Sequence, residues 1–330
     1  MNKKRFPVLL AAAVCMAANA LCQESTSVFN FLQLPYSARA TGLGGHNISV
    51  IEDDITLVTQ NPSLLSSVSS KTVGFNFLTY MKGSKAGSVA YAQAVGERGT
   101  WGVSSQFVGY GSMDETLPTG EVIGKMHAQD ICVNGTYAYL LGDNWSGGVT
   151  GKVIYSHYGE FSSCALAVDL GVNYFMPDKE FSLSAVARNI GGQVKAFGDH
   201  HERIPFDLEA GFTKELGHAP ISISVTLVDL TRWNKKYFYS TTGKVSTGRV
   251  LTNHFNVGVD VKPTKYMYLS AAYNFRRAYE MKAAGSSHAA GLSFGAGVHL
   301  KRFGVGLGYA KYHVGAPTLS FNVAYNFLKD

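Results

Sequence analysis

From about residue 72 to the last residues, short stretches recur in which every second residue is apolar or aromatic, with small or polar residues between. Side chains on a strand alternate faces, so such a stretch carries one greasy face and one polar face. Phe255, Val257, Val259 and Val261 oppose Asn256, Gly258, Asp260 and Lys262; Leu166, Val168, Leu170, Val172 and Tyr174 oppose Ala165, Ala167, Asp169, Gly171 and Asn173. The greasy face is nearly continuous, and the polar face is too poor in apolar residues to form a core. A sheet with lipid outside and water or a plug inside has this pattern.

Fourteen strands can be drawn, at 72–80, 87–95, 100–110, 130–140, 145–156, 162–174, 181–189, 205–215, 221–230, 254–262, 267–276, 289–301, 302–311 and 318–328. The connections test this drawing. Those after even-numbered strands are short, such as 96–99, 142–144 and 177–179. Those after several odd-numbered strands are long: 111–129, 190–204, 231–253 and 277–288. Short turns on one side and long loops on the other are the asymmetry of outer-membrane barrels. The sequence therefore predicts an all-β transmembrane antiparallel barrel of about 14 strands with an N-terminal plug.

The N-terminus agrees. Lys3, Lys4 and Arg5 precede an apolar run from Val8 to Leu21, the layout of a secretory signal peptide, with cleavage after Ala20 or Cys22 both fitting. Residues 1–22 are thus a signal, 23–70 a plug segment and 71–330 the barrel. Past the signal no stretch of about 20 apolar residues could form a spanning helix. The formal charge of +6 includes the signal's three cations, leaving roughly +3, too scattered to argue for nucleic acid. Cys132 and Cys164 fall on opposite faces of strands separated by a third, so they should not pair.

Within 23–70, Phe29, Phe31, Leu32, Leu34, Leu43 and Leu57 need burial, which favours an ordered plug. Arg39 could pair with Asp53 and Asp54 or with the wall, since enclosed charges need partners. Several motifs have plain readings. Gly291-Leu292-Ser293-Phe294-Gly295 has the letters of a nucleophile elbow, but alternation continues through it and no helix pattern follows. Gly304, Gly306 and Gly308 are spaced by two, unlike a nucleotide loop. Asp199, His200, His201 and Glu202 sit in one outer loop and read as hydrated, because neighbours on an extended chain point apart and metal spacing is missing. Arg188-Asn189-Ile190-Gly191-Gly192 reads as the end of strand seven. Trp233, Lys235, Lys236, Tyr237, Phe238 and Tyr239 form an aromatic and basic patch, open to two readings: interface anchoring or partner docking.

Leu34-Pro35-Tyr36-Ser37-Ala38-Arg39-Ala40-Thr41-Gly42-Leu43-Gly44-Gly45, then Asp53-Asp54, then Asn61-Pro62 with Leu64-Leu65, resembles the N-terminal signature of the FadL-like outer-membrane barrels associated with type IX secretion. The match looks closest to the PorQ-like branch and less close to the PorV-like branch. Asn61-Pro62-Ser63 stands where the fatty-acid transporters of the superfamily tend to have Asn-Pro-Ala. The chain ends Phe327-Leu328-Lys329-Asp330 instead of on an aromatic. The resemblance implies a 14-stranded plugged barrel in the outer membrane of a Gram-negative bacterium. It also implies a place in the cell-surface attachment complex, as anchor for a PorZ-type surface protein alongside PorU- and PorV-like proteins.

The expectation is a barrel without cofactor, metal or enzymatic activity that anchors a surface partner. Its structural plug residues are Arg39, Gly44, Gly45, Asp53, Asp54, Asn61 and Pro62. Its outer-loop docking residues are Asp199, His200, His201, Trp233, Lys236, Tyr237 and Phe238. The alternative is an uptake channel for a hydrophobic small molecule, which the Gly, Ser, Asn and Asp of the inward face disfavour. An exported enzyme ranks last, having no coherent base and nucleophile pair.

Overall fold

The computed structural model describes residues 27–80, 83–238, 245–283, 289–313 and 316–328. Residues 1–22, expected from sequence to be a signal peptide and holding Cys15 and Cys22, lie outside these residues, as does Tyr239. Alternation becomes strand in every place the sequence marks. The first seven strands are β1 (Thr72–Thr79), β2 (Lys85–Val95), β3 (Gly99–Thr116), β4 (Val122–Leu140), β5 (Trp145–Tyr158), β6 (Phe161–Met176) and β7 (Phe181–Lys195). The rest are β8 (Asp207–Glu215), β9 (Ile221–Leu227), β10 (Phe255–Thr264), β11 (Met267–Asn274), β12 (Leu292–His299), β13 (Phe303–His313) and β14 (Ala316–Asn326). Each pairs antiparallel with its sequence neighbours. β1 closes the ring on β14, with Phe75 opposite Val323 and Phe77 opposite Phe321. Closure removes every sheet edge, and lipid demands this because an unpaired backbone group there costs several kcal/mol.

The faces fall as the period of two requires. Phe77 is 47% exposed and the next residue, Leu78, 0%; Val153 is 52% exposed and Ile154 0%. Outward aromatics gather at the ends joined by short turns, in pairs such as Trp145–Tyr174 (4.7 Å between centroids), Phe303–Tyr325 (4.8 Å) and Phe181–Phe212 (6.1 Å). They form the interfacial girdle of a membrane barrel on its periplasmic side. No helix among the described residues is long and apolar enough to cross a membrane. Cys132 faces the lumen and Cys164 the outside, and both are free.

Three expectations change. Segment 111–129 is not a loop: β3 and β4 continue past the lipid zone as a hairpin turning at residues 117–121. Backbone pairing needs no apolar side chain, so strands can outlast the alternation that reveals them. Strand seven does not end at Asn189. Residues 188 and 189 of β7 oppose only Asp169 of β6, a bulge that places Asn189 at φ +56°, and pairing resumes at Ile190 opposite Val168. The outer connections 228–254 and 275–291 contain helices: α2 (Thr247–Asn253), capped by Ser246, and α3 (Phe275–Ala283). The short α1 (Ala38–Gly42) belongs to the plug.

Candidate functional site in the plugged lumen

The plug is built from local caps. Ser37 accepts from the Ala40 amide and starts α1. Gly44 and Gly45 then turn the chain at φ +87° and +92°, a region open to glycine without strain. A Cβ on Gly44 would lie 1.9 Å from Oδ1 of Asn256. That close approach lets Asn256 Nδ2 donate to the carbonyls of Leu43 (2.8 Å) and His46 (2.6 Å). Asp54 accepts from Thr56 N (2.9 Å) at the head of one 3₁₀ turn. Asn61, followed by Pro62, heads the next, accepting from Ser63 N (3.0 Å) and donating to Ile48 O (2.9 Å). Backbone meets backbone where Gly42 lies on Gly295 of β12: a Cβ on Gly295 would sit 2.9 Å from Gly42 Cα.

Arg39 is 0% exposed and, of the two alternatives open from sequence, it pairs with the wall and not with Asp53 or Asp54. Its Nε and Nη2 donate to the two carboxylate oxygens of Glu52, both at 2.8 Å. Nη1 and Nη2 donate to Asp260 of β10 at 2.5 and 3.1 Å, and Nη1 also reaches Ser270 of β11 at 2.7 Å. The guanidinium stacks over Tyr268, 4.2 Å from its ring centroid. Burial alone would raise the Glu52 carboxyl, but the Arg39 charge and hydrogen bonds, with Lys262, bring it down to about 2. Asp53 instead accepts from Ser69 N (2.7 Å) and Oγ (2.5 Å), and Asp54 is occupied by its cap. Short carboxylates beside free turn amides are taken by those amides first.

Sequence reasoning missed a second set of charges. Lys152 on β5 pairs with Asp169 on β6 at 2.6 Å and donates to Asn189 Oδ1 at 2.8 Å. Arg188 on β7 contacts Glu209 on β8 at 3.2 Å and donates to the plug carbonyl of Leu32 at 3.4 Å. His46 of the plug meets the same Glu209 oxygen at 3.3 Å. The available signal was that Lys152, Asp169, Arg188 and Glu209 lie on the polar faces of their strands. A charge aimed into a closed barrel needs an opposite charge nearby.

The interior is also less uniform than the inward Gly, Ser, Asn and Asp implied. In the outer half, Leu78, Val108, Ile154 and Ala167 of the wall surround Phe29, Phe31, Leu32 and Leu34 of the plug in one apolar cluster. Connection 196–206 covers it through Phe197 and Ile204, Phe197 lying 5.1 Å from Tyr158 and 6.2 Å from Phe29 between centroids. The Val28 amide donates to Arg203 O at 3.0 Å, tying plug to cover. β7 and β8 pair only as far as Arg188 opposite Asp207, so this cover also stands where the wall has no β7–β8 ladder.

The outer-loop residues divide. Asp199, His200 and His201 are exposed, and no cluster able to hold a metal ion occurs among the described residues. Trp233 is 52% exposed and lies 4.3 Å from His254 between ring centroids, while Lys236 is exposed. Phe238 is 3% exposed and forms a small core with Val245 and Val250. Tyr237 bonds Asp229 (3.1 Å) and Arg276 (3.0 Å) and is half-buried. Burial lifts the Tyr237 phenol above its ordinary range. Phe238 is thus enclosed by Val245 and by Val250 of α2, and Tyr237 packs against this small core, so these two rings present less open surface than Trp233 and Lys236.

No family model and no curated protein matches the chain. Solved structures do. The Pseudomonas putida toluene transporter TodX superposes with a TM-score of 0.55 at 11% identity, covering 91% of this chain and 98% of TodX. The monoaromatic hydrocarbon channel CymD superposes with a TM-score of 0.56 at 12% identity, covering 91% and 99%. The chain is a closed 14-stranded β-barrel of the outer membrane and shares its fold with these channels.

Proposed function

We propose that this barrel binds and passes a hydrophobic small molecule through the outer half of its lumen, with the plug as gate. The observation that carries the reading is the apolar cluster of Leu78, Val108, Ile154, Phe29 and Phe31 inside the wall, covered by Phe197 and Ile204 beside the interrupted β7–β8 ladder. A shared fold with two hydrocarbon channels supports it. Organic extraction and mass spectrometry of the purified protein should recover an apolar compound, and Ala167→Phe should reduce its yield by crowding the apolar cluster against the plug. Absence of any extractable compound, with equal uptake of aromatic and fatty-acid probes by expressing and non-expressing cells, would refute the reading.

A second reading is a membrane anchor for a PorZ-type surface protein of the type IX attachment complex. The buried Arg39 network favours it, since five hydrogen bonds hold the plug to itself and the wall as a fixed stopper. The resemblance at residues 34–65 supports it as well. Affinity isolation of the native complex should recover a large surface protein, and deleting residues 196–206 or 231–253 should release it. Unchanged recovery from both deletions would exclude these loops as the dock.

A further inference from the structure

The periplasmic rim carries a feature that neither reading uses. The β10–β11 turn (Lys265, Tyr266) and the β12–β13 turn (Leu300 to Arg302) stand side by side, because β11 pairs with β12 up to Met267 opposite Val298. Between them opens a cavity of about 240 Å³ lined by Lys262, Lys265, Lys301, Arg302 and His299, with Glu52 and Asp53 at its inner end. Both carboxylates are engaged, Glu52 by Arg39 and Lys262 and Asp53 by Ser69. Lys265 and Lys301 are exposed and have no carboxylate partner among the described residues. The cavity continues into an outer cleft lined by Tyr266, Leu300 and Phe303, which are 48%, 61% and 50% exposed and stand at the girdle. The cleft at the neighbouring β8–β9 turn differs in charge, since Glu180 and Glu215 line it beside His218 and Lys262, and Lys262 is paired with Glu215 at 2.6 Å.

Cations at headgroup depth, next to apolar surface at acyl depth, match the two ends of one lipid. We propose that this groove binds an anionic glycerophospholipid of the inner leaflet. Its phosphate meets Lys265 and Lys301, and its first acyl segment lies on Tyr266, Leu300 and Phe303. The proposal is independent of both functional readings, which concern the opposite end of the barrel.

Native mass spectrometry in a mild non-ionic detergent tests it, with phosphatidylglycerol, phosphatidylcholine or inorganic phosphate added. The wild-type chain should retain phosphatidylglycerol over phosphatidylcholine, and the double variant Lys265→Gln/Lys301→Gln should lose about tenfold or more of that retention. Lys85→Gln/Lys125→Gln, with the same charge loss at the outer end, should retain it fully. Heat-modifiable migration on gels establishes that each variant is folded. Equal retention by wild type and Lys265→Gln/Lys301→Gln overturns the proposal, as does equal retention of the two lipids. Equal loss in the outer-end control makes the attraction non-specific and also overturns it. Displacement of the lipid by millimolar inorganic phosphate shows a free-phosphate site in its place.

Discussion

Replacing Arg39 by methionine tests whether the plug is locked by charge. The substitution keeps most of the volume but removes five hydrogen bonds and leaves the buried Asp260 and the half-buried Glu52 without the guanidinium that bonds both. Breaking a buried ion pair by removing one partner costs about 3–5 kcal/mol. The Glu52 carboxyl gives a consistent figure: held at about 2 against an ordinary 4.5, it contributes about 3 kcal/mol to docking at neutral pH. Because the folded value is depressed, that stabilisation is complete above about 4.5 and is lost as pH falls towards 2. Hydrogen exchange in outer-membrane vesicles reads the effect directly. Amides of α1, such as Thr41 N bonded to Ser37 O, should exchange about 100-fold faster or more in Arg39→Met, while the barrel strands keep wild-type protection. Adding Glu52→Gln and Asp260→Asn should restore most of the protection, since the orphaned charges are then gone. Unchanged exchange in Arg39→Met would refute the lock, and equal acceleration throughout the barrel would show that Arg39 supports the whole fold.

Four further outcomes follow from the same geometry. Glu52→Gln should flatten the acid dependence of α1 exchange between pH 4.5 and 2, and an unaltered profile would place that dependence elsewhere. Gly295→Ala pushes a methyl into the backbone of Gly42 and should destabilise the docked plug by about 1–3 kcal/mol, read as faster α1 exchange with unchanged heat-modifiable migration. Asn189→Val forces a β-branched residue to φ +56° and removes the bonds to Lys152 and Pro205. It should therefore expose connection 196–206 to trypsin at Arg203, and an intact connection would count against that anchoring role. Phe77→Lys puts a charge on the lipid face near mid-membrane and should cost about 2–4 kcal/mol, lowering the urea midpoint of the barrel in lipid vesicles, whereas Asn76→Lys on the lumen side of β1 should act on the plug instead.

Much of the barrel could be read before any coordinates. The period of two told which of Phe77 and Leu78 meets lipid, and short turns told which end is periplasmic. Boundaries failed where pairing outlasts alternation, as in the β3–β4 hairpin, and where a bulge hides inside a strand, as at Asn189. The plug was legible as a segment needing burial, and its caps Asp54 and Asn61 stand before their turns in the sequence. Of the two carboxylates that hold Arg39, Glu52 lies 13 residues away, beside the Asp53 and Asp54 named from sequence. The wall was an expected partner, but which wall residue it would be was not legible, because Asp260 is 221 residues away.

What the chain determines by itself is which atoms can bear lipid and which cannot. Alternation and turn length are local properties, and lipid punishes any strand that faces the wrong way, so β1 to β14 and their faces follow without knowledge of the ring. Only the closed ring decides what meets inside it. Curvature brings β10 and β11 to Arg39, β8 to His46, and the wall of β1 to β6 to Phe29 and Phe31. Such encounters depend on distances across a lumen, and no spacing along a strand records them.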